Sequence, residues 1–160
     1  MIFVTVGTHE QPFNRLVQKM DELVGDKKIT DEVFMQIGYS TYEPTHVKWE
    51  RVISYEEMTK YEDMSEIIIT HGGPATFMSV LSKGKTPIVV PRLEKFGEHV
   101  NDHQLDFVRK VKEHSYGIII VEEIDTLDAA ICCARNNKGF MISNTKKFVQ
   151  KAEKLIRDLL

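Results

Sequence analysis

The sequence predicts an α/β domain, a parallel sheet with helices on both faces. Two observations carry this. Short apolar runs recur as continuous stretches rather than alternating ones, as strands buried on both faces require. Longer segments with helical spacing separate them, which is the layered pattern of alternating strands and helices.

Taken in order, the first strand is Ile2–Val6, entered directly through Ile2-Phe3-Val4. No basic segment precedes it, so the reading is a buried strand and not a signal peptide. The first helix spans Gln11–Val24: Phe13, Leu16, Val17, Met20, Leu23 and Val24 recur at helical spacing, with Pro12 near the start and Gly25 at the end. Strands follow at Val33–Ile37 and Val47–Ile53. A helix over Ser54–Tyr61 opens on Ser54 and Glu57, the spacing of a capping box. Strand Ile67–Thr70 leads to helix Pro74–Lys83, and strand Pro87–Val90 to helix Asn101–His114, where Asn101 and Gln104 repeat the capping pattern. Strand Ile118–Val121 and helix Thr126–Asn136 come next. A closing helix sets Phe148, Val149, Ala152, Leu155, Ile156 and Leu159 opposite Lys147, Lys151 and Lys154. That stripe either folds back on the sheet or docks on another protein or a membrane surface. With no linker or repeat, residues 1–160 read as one Rossmann-like unit.

The bulk numbers narrow the function. A chain of 160 residues fits one domain, and 42% hydrophobic with 28% charged residues is ordinary soluble globular composition. The formal net charge of −3, with no basic arm, argues against nucleic-acid binding. No apolar run approaches the roughly 20 residues of a membrane span. Cys132 and Cys133 are adjacent and unaccompanied by zinc-site partners, so neither a disulfide framework nor a zinc site is expected, and a reducing cytoplasm fits.

In such sheets ligands bind at the carboxyl ends of the strands, and three loops there stand out. In Val6-Gly7-Thr8-His9-Glu10, glycine lets the backbone approach a ligand and the next helix offers unpaired amides; a tight turn capped by Thr8 is the alternative. In Thr70-His71-Gly72-Gly73-Pro74-Ala75-Thr76, a helix starts beside a glycine pair, a natural pyrophosphate seat, although His71 could instead anchor the turn. The third loop, Val89 to Gln104, gathers Arg92, Lys95, His99, Asn101, Asp102, His103 and Gln104, enough donors and acceptors to read a sugar ring. His99 and His103 lie four apart, a metal-pair spacing on a helix, but no third ligand accompanies them. Glu98 reads as a solvated charge.

These residues resemble a known family. His71-Gly72-Gly73-Pro74-Ala75-Thr76, Gly84-Lys85-Thr86-Pro87-Ile88-Val89-Val90-Pro91-Arg92 and His103-Gln104 look like the C-terminal, donor-binding domain of glycosyltransferase family 28, half of a GT-B enzyme. The run Phe96 to Gln104 is similar to the small subunits of split capsule and exopolysaccharide transferases; the two-chain dolichol-linked chitobiose synthase is another likeness. The resemblance implies that Gly7, Thr8, His71, Gly72, Gly73 and Thr76 hold a diphosphate. It implies that Val52 and Ile53 read uracil through their main chain, and that His103 and Gln104 contact the donor sugar, with His99 and Asn101 beside them. Ser79 stands where the family often has a ribose-binding glutamate. The implied activity is an inverting UDP-sugar transfer, UDP-galactose being the favoured donor and UDP-glucuronate the other. A membrane-associated acceptor-domain subunit would bring a lipid-linked saccharide and the general base; within this chain His9 is the candidate base. No metal or cofactor beyond the donor is expected. The implied location is cytoplasmic, at the inner membrane face through the partner, with self-association when isolated. The alternatives are a non-catalytic nucleotide-binding subunit and, further off, a nucleotide-sugar epimerase.

Overall fold

The computed structural model describes residues 1–114 and 117–136, with the isolated positions 154 and 157. Six strands form one sheet: β1 (Ile2–Thr5), β2 (Val33–Gln36), β3 (Lys48–Glu50), β4 (Ile67–His71), β5 (Ile88–Val90) and β6 (Ile119–Ile120). Among the residues up to 136 that the structure describes, α-helices connect or cover them: α1 (Asn14–Gly25), α2 (Tyr55–Met64), α3 (Pro74–Ser82), α4 (His103–Glu113) and α5 (Leu127–Asn136). The strand order is β3-β2-β1-β4-β5-β6 and every pairing is parallel. Strand order reverses between β1 and β4, where Ile2 sits opposite both Val33 and Ile67.

Alternation along β1 explains the layers. Ile2 and Val4 point to one face, where they join Leu16, Val17 and Met20 of α1 and Leu127 and Ile131 of α5. Phe3 points to the other and meets Phe34, Ile68 and Val80 of α3, with Met58 and Tyr61 of α2 packed alongside. The Phe34 and Tyr61 rings stack at 4.1 Å between centroids. A neighbouring cluster on that face joins Phe77 and Leu81 of α3 to Val108 and Val111 of α4.

Helix ends follow local chemistry. The Ser54–Glu57 capping box forms in full, with reciprocal bonds of 2.9 and 3.2 Å. At the other end of α2 the Lys85 ammonium donates to the carbonyls of Glu62, Asp63 and Ser65 (2.5, 2.7 and 2.9 Å), closing off carbonyls that a helix end leaves unpaired.

Several boundaries differ from expectation. β3 stops at Glu50, not Ile53, because its one neighbour gives out: Ile37 and Gly38 donate to the carbonyls of Glu50 and Arg51, and Gly38 then turns away at φ +52°. α1 starts at Asn14 rather than Gln11; the Phe13 amide donates to Ser40 Oγ, and residues 8–13 form a loop. α4 starts at His103, so Asn101 does not pair with Gln104 in a capping box; its side chain accepts from the His103 amide. The expected closing helix lies outside the described residues except for Lys154 and Arg157, which are helical and exposed. Among the described residues no helix is long and apolar enough to cross a membrane.

Candidate functional site

The loops after β1, β4 and β5 meet at the point where strand order reverses, and Arg92 ties them together. Its guanidinium is fully buried. It donates to the carbonyls of Val6 (2.8 Å) and Gln11 (2.7 Å) in the loop after β1, and to that of Glu98 (3.0 Å) in the loop after β5. Burial holds Arg92 down to about 10, against a smaller upward pull from Glu98. Glu98, read from the sequence as a solvated charge, is buried: it accepts from Arg15 through both oxygens (2.8 and 2.9 Å) and from the Leu93 amide (3.0 Å).

Two buried or half-buried glutamines set the glycine turns. Gln36 Oε1 accepts from Thr5 Oγ1 (2.7 Å) and the Gly7 amide (3.2 Å), while its Nε2 donates to the carbonyls of Gly7 and Arg51 (3.1 and 2.8 Å). Gln104 Oε1 accepts from the amides of Gly72 and Arg92, both at 3.1 Å. The amides of Gly7 and Gly72 are therefore turned inward to side-chain oxygens. Among the described residues the amides of Thr8, Gly73 and Ala75 are left without partners at this end of the sheet, the last two at the start of α3, where Pro74 needs no donor.

His71 fills the space between the two turns. A Cβ on Gly7 would lie 2.7 Å from His71 Cε1, and one on Gly73 would lie 2.3 Å from His71 Nε2. Glycine is thus required at both positions by the imidazole, and at Gly7 also by φ +75°. Burial, then the charge of Arg92 and the nearby His9 and His99, lower His71 to about 4, with a contact to the Thr5 backbone opposing them. His99 is lowered as well, by burial first and then by His9 and Arg92. The rings of His9 and His99 face each other at 4.6 Å between centroids.

Two clefts flank the Gly72–Gly73 turn. One, of ≈ 210 Å³, is lined by Gly7, Thr8, Val52, Ile53, His71 and Thr76, with Thr5, Gln36 and Met58 behind. The backbone groups of Val52 and Ile53 carry no hydrogen bonds to other described residues. The other, of ≈ 530 Å³, has Gly72 and Pro74 on one wall and His99, Asn101, His103, Gln104 and the α4 face Asp106, Phe107 and Lys110 on the rest. A third cleft of ≈ 550 Å³ lies between α4 and the segment after β6, where Arg109 and Glu122 neutralise each other at 2.9 and 2.6 Å; it is remote from the glycine turns.

Of the residues expected from sequence, the structure gathers Gly7, Thr8, His71, Thr76, Val52 and Ile53 around the first cleft and Gly72, His99, Asn101, His103 and Gln104 around the second. Ser79 stands apart: its hydroxyl donates to the buried carboxylate of Glu62 (2.9 Å), which also pairs with Lys83 (3.0 Å). His9 accepts the Gln11 amide at Nδ1 (3.2 Å), which assigns its proton to Nε2 and makes that edge a donor. Among the described residues no group of three or more His, Cys, Asp or Glu is placed to hold a metal ion. The sequence reading missed Gln36, and it took Arg92 for one polar loop residue among several. A polar residue ending an otherwise apolar strand, as Gln36 does, was the available signal.

A six-stranded parallel sheet in this order, with its clefts at the carboxyl ends beside the switch point, defines a Rossmann-like ligand-binding domain. Residues 1–160 match the glycosyltransferase family 28 C-terminal domain, and the chain belongs to that family. It is similar in structure to the glycosyltransferase of kitacinnamycin, with a TM-score of 0.60 and 14% sequence identity, over 99% of this chain and 41% of that one. It also aligns with the glycosyltransferase SnogD from Streptomyces nogalater, with a TM-score of 0.45 and 18% identity, over 99% of this chain and 44% of that one. The chain thus spans less than half the length of these enzymes and has the fold of the C-terminal half of a GT-B glycosyltransferase. No curated protein sequence matches it.

Proposed function

We propose that this chain is the donor-binding, catalytic subunit of a two-chain UDP-sugar glycosyltransferase, the acceptor domain being supplied by a membrane-associated partner carrying a lipid-linked saccharide. One observation supports the reading: a cleft with free main-chain groups at Val52 and Ile53 and a cleft rich in hydrogen-bonding side chains both border the first turn of α3, at Thr76 and Pro74 respectively. The first suits uracil and ribose. The second, with His99, Asn101, His103 and Gln104, suits a sugar, for which UDP-galactose is our choice, in capsule or exopolysaccharide synthesis. The diphosphate then lies over the unpaired amides of Thr8, Gly73 and Ala75 at the positive end of α3.

In the reaction an acceptor oxygen bonds to the anomeric carbon as the bond from that carbon to the diphosphate oxygen breaks, with inversion. Negative charge grows on the departing UDP, and fixed amides aimed at it lower the barrier; losing one well-placed donor of this kind costs about 3–4 kcal/mol. The acceptor proton goes to a base on the partner. His9, the candidate within this chain, is the weaker choice, because its Nδ1 is taken up by the Gln11 amide. The commitment of Ser79 to Glu62 favours one alternative, a non-catalytic nucleotide-binding subunit with a weaker hold on ribose.

Calorimetric titration with UDP, UDP-galactose and UDP-glucuronate, with and without the partner, tests the donor site; binding of none of them defeats it. With partner and lipid-linked glucose present, His103→Ala and Gln104→Ala should each abolish most turnover, and unchanged turnover removes the catalytic role.

A further inference from the structure

The site places three imidazoles and a guanidinium together without a free carboxylate between them. His71 lies under the turns, while His9 and His99 meet above from the loops after β1 and β5. We propose that His9 and His99 form a clasp over the donor diphosphate, His9 giving its Nε2–H and His99 closing as an imidazolium, so that each donor bound brings one proton with it. This rests on the donor-site reading above.

The roles follow from hydrogen bonding. His9 Nδ1 is held by the Gln11 amide, leaving Nε2–H as its free donor. His99 Nδ1 is buried and makes no hydrogen bond of good geometry to a described residue, although Asn101 lies near enough to favour its charged form. The groups facing His99 are His9, His71 and Arg92, with Asn101 on its own loop; His103, Asp106 and Lys110 line the same cleft further along α4. Exposed Glu10 adjoins His9 in sequence, and Glu98, the carboxylate nearest to hand, is engaged by Arg15 and the Leu93 amide. Burial first, and then His9 and the Arg92 charge, disfavour the charged form of His99 in the empty site, against a smaller opposing pull from Asn101. A diphosphate supplies the opposite charge and reverses that preference.

The ligand must bring no titration of its own. UDP-galactose and UDP-glucuronate qualify, because a diphosphate esterified at both ends keeps a fixed charge from about pH 5.5 to about pH 8, the range in which imidazoles titrate. Calorimetry near pH 6.5 in two buffers of different ionisation enthalpy should show about one proton taken up per donor bound. The dissociation constant should fall by up to about tenfold per pH unit as pH drops across that range. His99→Asn should remove the uptake and the pH dependence, and His9→Ala should weaken binding while leaving the uptake. Donor binding with no proton uptake and a flat pH profile overturns the clasp and leaves the donor site standing. Absence of binding at every pH overturns both.

Discussion

Replacing Arg92 by methionine probes the tie between the loops that build the site. The wild-type guanidinium donates to the buried carbonyls of Val6 and Glu98 and the half-buried one of Gln11, and lies 4.9 Å above the Phe13 ring. Hydrogen bonds from a charged donor contribute about 1.5–3 kcal/mol each, so the three together reach roughly 5–9 kcal/mol. Against this stands the cost of burying the charge, expressed in the fall of its pKa from the ordinary guanidinium value to about 10, on the order of 3 kcal/mol. Methionine fills most of the volume and removes that cost, yet leaves the carbonyls unpaired. The expected net loss is about 3 kcal/mol, or a melting temperature lower by about 6–12 °C for a chain of this size. Urea denaturation gives the first quantity and calorimetry with UDP the second readout, because the freed loops carry Thr8 and His99, which border the proposed diphosphate seat. Arg92→Lys, which keeps the charge but not the fork, should fall between the two. A methionine variant within about 1 kcal/mol of wild type, binding UDP with unchanged affinity, would show that the loops hold their places without this residue.

Other consequences follow from the same geometry. Gly73→Ala puts a methyl 2.3 Å from His71 Nε2 at an otherwise allowed φ of −69°, so it should cost about 1–3 kcal/mol in the wild type and almost nothing in a His71→Ala background. Gly7→Ala should keep about 1 kcal/mol of its penalty in that background, because φ +75° remains; equal rescue of both refutes the assignment. His71 is held neutral in the fold, to about 4, whereas the unfolded chain protonates near 6.5. Its contribution is complete above about pH 6.5 and is lost as pH falls towards about 4, by at most about 3 kcal/mol. Stability measured over that range should slope less in His71→Gln, and an identical slope removes the claim. Lys85→Met should cost about 1–2 kcal/mol by uncapping α2, read as faster amide exchange in its last turn than in β1.

β1 and β4, read from sequence as Ile2–Val6 and Ile67–Thr70, were legible as buried strands because a stretch apolar on both faces has few other places to go. The Ser54–Glu57 cap and the Pro74 helix start were legible because their partners lie within one turn. The end of β3 was not, since pairing stops when Gly38 on the neighbouring strand turns away. The sequence offers Gln104 both as part of a cap and as a sugar contact; in the fold its oxygen serves Gly72 and Arg92, 32 and 12 residues distant.

The sequence alone therefore determined the layer architecture, the glycine-bearing loops at the strand ends and the family, because these depend on periodicity and on motifs read along the chain. The tertiary structure decided which of those groups are free to meet a ligand. Arg92 reaches a carbonyl 86 residues away, Glu98 is buried by an arginine 83 residues away, and the Gly7 amide is occupied by a glutamine 29 residues away. Hydrogen-bonding capacity is written into each side chain, but whether it is used inward or left for a substrate is settled only when the sheet brings distant loops to one end.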